Sequence, residues 1–333
     1  MEYRILGRTG LKVSAIGIGT WQLSGPVMID GKADSFPDPG QDKVIDLIHT
    51  CGDWGINLID TAEIYGDGEG QRRIGQAIQG KRDQWLLSSK FGLRRGPNGE
   101  RIQNPNPDTI RVSLENSLKR LQTDYIDIYL YHSPPNPALI ALGREVLETL
   151  KQEGKIRFYG ISTDDPQILN QLIQNNSVDV VMFSQSLVTY PSELLNLVQK
   201  NNLGVMIKGA LDAGRLSGEF FHQEPQFSDQ DIRKYIFYYG FKPQKYAVYE
   251  QFLTEDMSMP GLALRYLLDF ETTHTIILGG RSIERYREAL KVFNLAPLDS
   301  KTHEALEQIR QKIFTKSLLE KIRDRIKTIL KLW

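Results

Sequence analysis

Four polar side chains of types used in proton transfer lie at the ends of three consecutive predicted strands. Asp60 ends the second predicted strand, Lys90 ends the third, His132 follows the fourth, and Tyr65 comes five residues after Asp60. Adjacent strands of a sheet lie about 4.8 Å apart, so side chains at neighbouring strand ends can meet. We therefore predict that these four side chains form one site.

This combination of side chains suits delivery of a proton to a carbonyl oxygen. A tyrosine with a pKa of about 10 is a weak donor at neutral pH unless a nearby cation favours its phenolate, and Lys90 can be that cation. Asp60 would hold Lys90 charged, and His132 would donate a hydrogen bond to the substrate oxygen. The carbonyl carbon must then accept a hydride, which no side chain supplies, so a nicotinamide cofactor is implied.

Each of these residues also has an ordinary structural interpretation. Asp60 could cap a turn, and Tyr65 could be a loop aromatic. Lys90 could be solvated, and His132 could be a satisfied structural histidine. Their convergence favours function over four separate structural roles. Neither the other histidines nor Cys51 show the spacing of a zinc site, and we predict no metal.

The elements that would position these side chains alternate regularly along the chain. Short apolar runs predict eight strands, at residues 15–19, 57–60, 85–90, 126–131, 156–161, 178–183, 204–208 and 275–278. Helical spacing predicts eight helices, at residues 41–54, 69–80, 107–121, 137–153, 165–176, 191–201, 259–269 and 282–293. Without a break in composition, this α/β pattern favours a (β/α)8 TIM barrel over two doubly wound domains.

Segments outside this alternation predict the floor and the rim of the barrel. Residues 3–14 predict an N-terminal β-hairpin that plugs the floor. The loop 25–40 and a long insertion at 212–259, after the seventh strand, are candidate substrate walls or lids because they lie at the strands' C-terminal ends. We assign residues 1–297 to the barrel and 298–333 to a C-terminal helical extension.

The insertion is rich in aromatic residues, which either contact the substrate or form a small core of their own. These residues are Phe220, Phe221, Phe227, Tyr235, Phe237, Tyr238, Tyr239, Phe241, Tyr246, Tyr249 and Phe252. Residues 310–333 form a basic amphipathic pattern, for which we favour packing on the same domain over a helix-mediated contact with a membrane or a partner.

Composition narrows the class of ligand. The 333 residues are 40% hydrophobic and 25% charged, as in a globular protein, and 41 basic residues balance 41 acidic ones. No net positive charge exists to attract nucleic acid, so a small-molecule substrate is expected. A single cysteine, a start without a signal-peptide pattern and the absence of a long apolar run predict a cytoplasmic protein without a transmembrane segment.

Several motifs resemble the aldo-keto reductases, and the resemblance runs from about residue 3 to residue 293. The segments are RILG at 4–7, GIGTW at 17–21, NLIDTA at 57–62 followed by Tyr65 and Gly66, SKFG at 89–92, and SLKRL at 117–121 leading to Tyr131 and His132. The resemblance implies that hydride leaves C4 of NADPH for an aldehyde or ketone while Tyr65 protonates the oxygen. Lys90 would lower the pKa of Tyr65, Asp60 would support Lys90, and His132 would position the carbonyl.

The same resemblance implies a set of cofactor contacts. These are Thr20, Trp21, Asp60, Ser162, Gln185, Lys208, Ala210, Leu211, Gly214, Leu216, Gly280, Arg281, Ser282, Arg285 and Glu288. Ser162 and Gln185 would hold the carboxamide. Arg281 and Arg285 stand at the start of the eighth helix, where free amides and the helix dipole favour an anion, and we therefore predict NADPH rather than NADH.

The chain departs from the family pattern near the nicotinamide. Relatives commonly stack a tyrosine where this chain has Val188, and Tyr190 is the nearby candidate to replace it. Gly17 and Gly19 precede Gln22 rather than a third glycine, so they do not make a Rossmann fingerprint. Two alternatives to a reductase stay open, namely a nucleotide-binding regulatory subunit of the same fold and a lyase that uses Lys90 as a Schiff-base nucleophile.

Overall fold

A closed barrel of eight parallel strands forms the body of the molecule. The computed structural model describes residues 1–134, 140, 142–238 and 242–314. The strands are β1 (Tyr3–Ile5), β2 (Lys12–Ser14), β3 (Ile16–Gly19), β4 (Met28–Ile29), β5 (Lys32–Ala33), β6 (Leu58–Asp60), β7 (Leu86–Phe91), β8 (Leu93–Arg95), β9 (Arg101–Gln103), β10 (Ile126–His132), β11 (Ile156–Ser162), β12 (Val180–Ser184), β13 (Gly204–Lys208) and β14 (Thr275–Gly279). In the barrel, β3, β6, β7 and β10 to β14 follow each other in chain order, and β14 pairs with β3 to close it.

Helices surround the barrel, and most of them bury an apolar face against it. They are α1 (Gln41–Asp53), α2 (Glu69–Ala77), α3 (Pro107–Leu121), α4 (Arg144–Gln152), α5 (Pro166–Gln174), α6 (Ser192–Lys200), α7 (Arg233–Tyr238), α8 (Pro243–Ala247), α9 (Met259–Leu268), α10 (Ile283–Leu290) and α11 (Ser300–Ile309). Their starts follow local chemistry. At α5, the Asp165 carboxylate accepts hydrogen bonds from the backbone N–H groups of Gln167 and Ile168, and Pro166 stands in the first turn.

The predicted (β/α)8 barrel is confirmed, with small shifts at the ends of its elements. The sixth barrel strand begins at Val180 rather than Val178, β7 runs one residue past Lys90, and His132 is the last residue of β10 instead of following it. Of the helix predicted at 137–153, residues 144–152 form α4, and residues 135–139 and 141 lie outside the described part of the chain.

The N-terminal hairpin plugs the floor of the barrel, as predicted. Strands β1 and β2 pair in antiparallel register. Leu6, Leu11 and Val13 pack with inward-facing barrel residues such as Leu130 and Met206 in one buried cluster. With the floor filled by these side chains, the open end of the barrel lies at the C-terminal ends of the strands.

Two small hairpins and the insertion rise around that open end. Strands β4 and β5 belong to the predicted loop 25–40, whereas the hairpin β8–β9 was not predicted. In the insertion, Phe220, Phe227 and Phe237 pack edge to face with centroids 5.0 to 5.9 Å apart. These three rings therefore form a small core of their own. This is the second of the two interpretations given above for the aromatic residues of the insertion.

The C-terminal segment begins on the outside of the barrel. Helix α11 buries Leu306, and the turn Arg310–Phe314 brings the Phe314 ring to 5.0 Å from Tyr246 and 6.0 Å from Tyr249. The rest of the predicted basic helix, residues 315–333, lies outside the described residues, and the boundary at 297/298 stays a prediction. Among the described helices, none combines the length and apolar character that a bilayer crossing requires.

Candidate active site

Strand register brings the predicted proton-transfer residues to one end of the barrel. Asp60 on β6 stands beside Ser88 on β7. Two residues further along β7, Lys90 stands beside Leu130 on β10, and His132 is two residues beyond Leu130. Side chains alternate along a strand, so Lys90 faces the same side as Ser88, and His132 faces the same side as Leu130. That side is the barrel interior.

Lys90 is the hub of the hydrogen bonds. Its Nζ lies 2.5 Å from Asp60 Oδ2, 2.9 Å from the Thr61 carbonyl oxygen and 3.4 Å from Tyr65 Oη. Asp60 accepts a second hydrogen bond, from Ser88 Oγ at 2.8 Å. Burial alone would lower the pKa of Lys90, but Asp60 and Tyr65 oppose this effect and raise the pKa above its ordinary value. The ammonium therefore stays charged at neutral pH.

Tyr65 lies on a loop that two hydrogen bonds of Glu63 hold against the end of β7. The Glu63 backbone N–H donates to the Lys90 carbonyl oxygen, and the Glu63 carboxylate accepts from the Gly92 N–H at 2.8 Å. Burial raises the pKa of Tyr65, while Lys90 opposes the rise. The predicted effect of Lys90 on the pKa of Tyr65 has the expected direction, but loss of hydration outweighs it and the net pKa is raised. Tyr65 is thus held as a protonated phenol.

His132 completes the group as a neutral imidazole. Its ring packs edge to face against Tyr65, with centroids 5.9 Å apart. Burial, and then the positive charges of Lys90 and Lys208, lower the pKa of His132 well below its ordinary value. Its Nδ1 has no hydrogen-bond partner among the described residues. A neutral histidine beside Tyr65 can donate a hydrogen bond to an oxygen without competing to protonate it.

These residues line a cavity of about 710 Å³ at the open end of the barrel. The predicted cofactor residues line it too, except for Gln185, Leu216 and Ser282. Leu216 is a core residue whose N–H bonds to the Leu211 carbonyl oxygen. Such a volume accommodates a dinucleotide segment and a small substrate.

One end of the cavity gathers positive charge, and we call this group, Arg233, Arg281 and Arg285, the arginine cluster. All three line the cavity. Arg281 Nη1 donates to the Pro37 carbonyl oxygen at 3.1 Å, and Arg285 pairs with Glu219 at 3.2 Å. Burial and then Arg233 lower the pKa of Arg281, and Arg285 adds to this effect. Cations that repel each other beside a helix start favour a bound anion.

The middle of the cavity fits a nicotinamide carboxamide only in part. Ser162 and Lys208 line it, whereas the Gln185 side chain lies fully buried outside the lining. Both Gln185 amide atoms lack a hydrogen-bond partner among the described residues, which is unusual for a buried amide unless a ligand satisfies it. Neither Val188 nor Tyr190 lines the cavity, and the Tyr190 ring instead packs 5.9 Å from Phe270.

The sequence analysis missed several lining residues on the rim. These include Asp34, Phe36, Arg101 and Arg233. Asp34 and Phe36 belong to the loop that was expected to form a wall, but they were not singled out. Arg101 lies on β9, and the turn sequence GPNG at 96–99 was the signal that predicts a hairpin there.

Comparisons with known proteins agree on one family. Residues 15–311 match the model of the Aldo/keto reductase family. Aldo-keto reductase YhdN of Bacillus subtilis is 34% identical over 71% of this chain and 69% of its own length. The NADH-specific methylglyoxal reductase of Escherichia coli is 30% identical over 91% and 98%. The holo structure of aldo-keto reductase AKR11C1 from Bacillus halodurans has a TM-score of 0.77 at 27% identity, with 95% of this chain and 97% of that chain covered.

Proposed function

The chain belongs to the aldo/keto reductase family, and from this membership we propose that it reduces an aldehyde or ketone with NADPH, with Tyr65 as the proton donor. The family consists of oxidoreductases that reduce carbonyl groups with a nicotinamide cofactor. The contact of Lys90 Nζ with both Asp60 and Tyr65 is the observation that carries the proposal.

The proposed mechanism assigns one task to each side chain. When bound, NADPH supplies the hydride that the carbonyl carbon accepts. Tyr65 Oη gives its proton to the carbonyl oxygen, and the charged Lys90 stabilises the phenolate that Tyr65 becomes. Asp60 holds Lys90 by the 2.5 Å hydrogen bond. Neutral His132 donates a hydrogen bond that orients the carbonyl oxygen toward Tyr65.

The choice of NADPH over NADH rests on the arginine cluster. NADPH differs from NADH by the adenosine 2′-phosphate, and a planar guanidinium beside a helix start is suited to bind that group. Ser162 and the unpartnered Gln185 amide would hold the carboxamide. The E. coli relative is named NADH-specific, so the 2′-phosphate contact is the part of this proposal that needs a direct test.

The buried Lys90 is less suited to the lyase alternative. A Schiff-base nucleophile must be a neutral amine, whereas Asp60 and Tyr65 keep the pKa of Lys90 raised. A regulatory subunit would bind NADPH with negligible turnover. A reductase would oxidise NADPH with a carbonyl compound, a regulatory subunit would bind NADPH without turnover, and a lyase would not need NADPH.

A panel of aldehydes and ketones assayed with NADPH and with NADH tests the proposal. We expect NADPH absorbance to fall in the presence of a reactive aldehyde, with a higher kcat/KM than for NADH. Bound NADPH without turnover on any carbonyl would support the regulatory subunit. Trapping of substrate by borohydride, without any need for NADPH, would support the lyase.

A further inference from the structure

Near the catalytic residues, the cavity lining also holds a matched ion pair. There Arg101 Nη2 lies 2.6 Å from Asp34 Oδ2, and both side chains line the cavity. Asp34 comes from the loop 25–40 and Arg101 from β9, so the pair joins the two hairpins that form this wall. The Asp34 side chain is 11% exposed and that of Arg101 39%, which leaves the guanidinium accessible from the cavity.

This ion pair lies next to the catalytic residues. The Trp21 indole N–H donates to the Asp34 carbonyl oxygen at 3.1 Å, and the Trp21 ring stacks on Tyr65 with centroids 6.2 Å apart. The charge of Arg101 also contributes to the lowered pKa of His132. A substrate whose carbonyl oxygen meets Tyr65 therefore brings its neighbouring carbons toward the Asp34–Arg101 pair.

The pair has hydrogen-bonding capacity to spare and no net positive charge. Within the described residues, the Arg101 guanidinium makes one hydrogen bond, and Asp34 Oδ1 accepts none. An arginine offers five N–H donors, so most of them stay available. A second carboxylate, Asp30, lies 3.8 Å from Arg101 Nε. Two carboxylates beside one guanidinium leave this region neutral to negative.

We infer that the Asp34–Arg101 pair binds a hydroxyl group of a neutral substrate and discriminates against anionic carbonyl compounds, an inference that rests on the proposed reductase function. A hydroxyl group can donate to Asp34 and accept from Arg101 at the same time. A carboxylate or phosphate would gain one guanidinium but meet two carboxylates. Phe36, Ile64 and Leu93 give the same cavity an apolar lining and favour a short carbon skeleton.

Three substrates of matched length test this inference with NADPH as the reductant. Propanal carries no further polar group, glyceraldehyde carries hydroxyl groups, and glyceraldehyde 3-phosphate adds an anion. The variants are Arg101→Met and Asp34→Asn. Arg95→Met is the matched control, because Arg95 lies on the same hairpin, donates to the Met28 carbonyl oxygen and does not line the cavity.

We expect the ratio of kcat/KM for glyceraldehyde to that for propanal to fall about 10- to 100-fold in Arg101→Met, the range for loss of a hydrogen bond to a charged group. Arg95→Met should leave this ratio unchanged. Asp34→Asn should raise kcat/KM for glyceraldehyde 3-phosphate above the wild-type value, because Arg101 then loses its neutralising partner, whereas Arg101→Met should lower it further.

Two results would overturn the inference. One is a glyceraldehyde-to-propanal ratio that neither variant changes while both still bind NADPH. The other is a wild-type preference for glyceraldehyde 3-phosphate that disappears in Arg101→Met, which would identify Arg101 as an anion site. Failure of the proposed function looks different, because the wild-type protein would then oxidise NADPH with none of the three aldehydes.

Discussion

Two charged regions of the cavity lining differ in how their charges are balanced. In the arginine cluster, Arg233 pairs with Asp231 and Arg285 with Glu219, whereas Arg281 makes its only hydrogen bond among the described residues to the Pro37 carbonyl oxygen. In the second region, Arg101 is matched by Asp34 at 2.6 Å. A guanidinium without a carboxylate partner suits a phosphate, and a matched pair suits a neutral molecule. The proposed cofactor and the inferred substrate differ in charge in the same way.

The catalytic residues form a third charged region of the cavity lining. Asp60 and Lys90 are almost completely buried and form a close ion pair beside Tyr65. Lys90 favours a negative charge on Tyr65, whereas Asp60 opposes it and keeps the pair neutral as a whole. Each prediction below changes one of these regions and leaves the others in place.

The largest effect is expected at the catalytic residues. Tyr65→Phe removes the proposed proton donor and should lower kcat for carbonyl reduction by about 10²- to 10⁴-fold, the usual range for general acid catalysis. Cofactor fluorescence titration should show an NADPH affinity close to that of the wild-type protein. Reduction at the wild-type rate would mean that another group donates the proton.

The second-largest effect is expected from a change in the arginine cluster, and it should distinguish NADPH from NADH. Arg281→Ala removes the proposed contact to the 2′-phosphate and should raise the KM for NADPH about 10- to 100-fold, with little change for NADH. Arg287→Ala is the control, because Arg287 lies on the same helix but over the Trp54 ring, outside the cavity. Equal losses for NADPH and NADH would argue against a 2′-phosphate site.

The pH profile should show a smaller effect, on its alkaline side. The proposed mechanism needs a protonated Tyr65, and a group whose pKa is raised keeps its proton to higher pH. We expect kcat/KM for reduction to stay level through neutral pH and to fall only above about pH 10. His132 adds no step near neutrality, because its pKa is lowered and it is already neutral there. A fall centred near pH 7 would contradict both assignments.

The smallest effect on activity is expected in the aromatic core of the insertion. Phe237 packs against Phe220 and Phe227 and does not line the cavity. Phe237→Ala should therefore lower the Tm by loss of packing, while KM for a small aldehyde changes by less than about twofold. Trp21→Ala is the contrasting variant, since Trp21 stacks on Tyr65. A larger change in KM for Phe237→Ala than for Trp21→Ala would show that the insertion contacts the substrate.

The sequence was most informative about polar side chains that lie at the ends of the barrel strands. The proximity of Asp60, Lys90 and His132 could be predicted because apolar runs mark where strands stop, and register then brings those ends together. The net pKa of Tyr65 could not be predicted, because it depends on how much water the folded site excludes. The Asp34–Arg101 pair was equally hidden, since two hairpins 67 residues apart must meet to form it.

The central claim, that Tyr65 and a bound NADPH act on one carbonyl, is tested most directly by isotope transfer. NADPH deuterated at C4 should yield an alcohol with deuterium on the former carbonyl carbon when wild-type protein is present. Tyr65→Phe should bind the same cofactor but form almost no labelled alcohol. Cofactor binding by the wild-type protein without deuterium in any product would contradict the account.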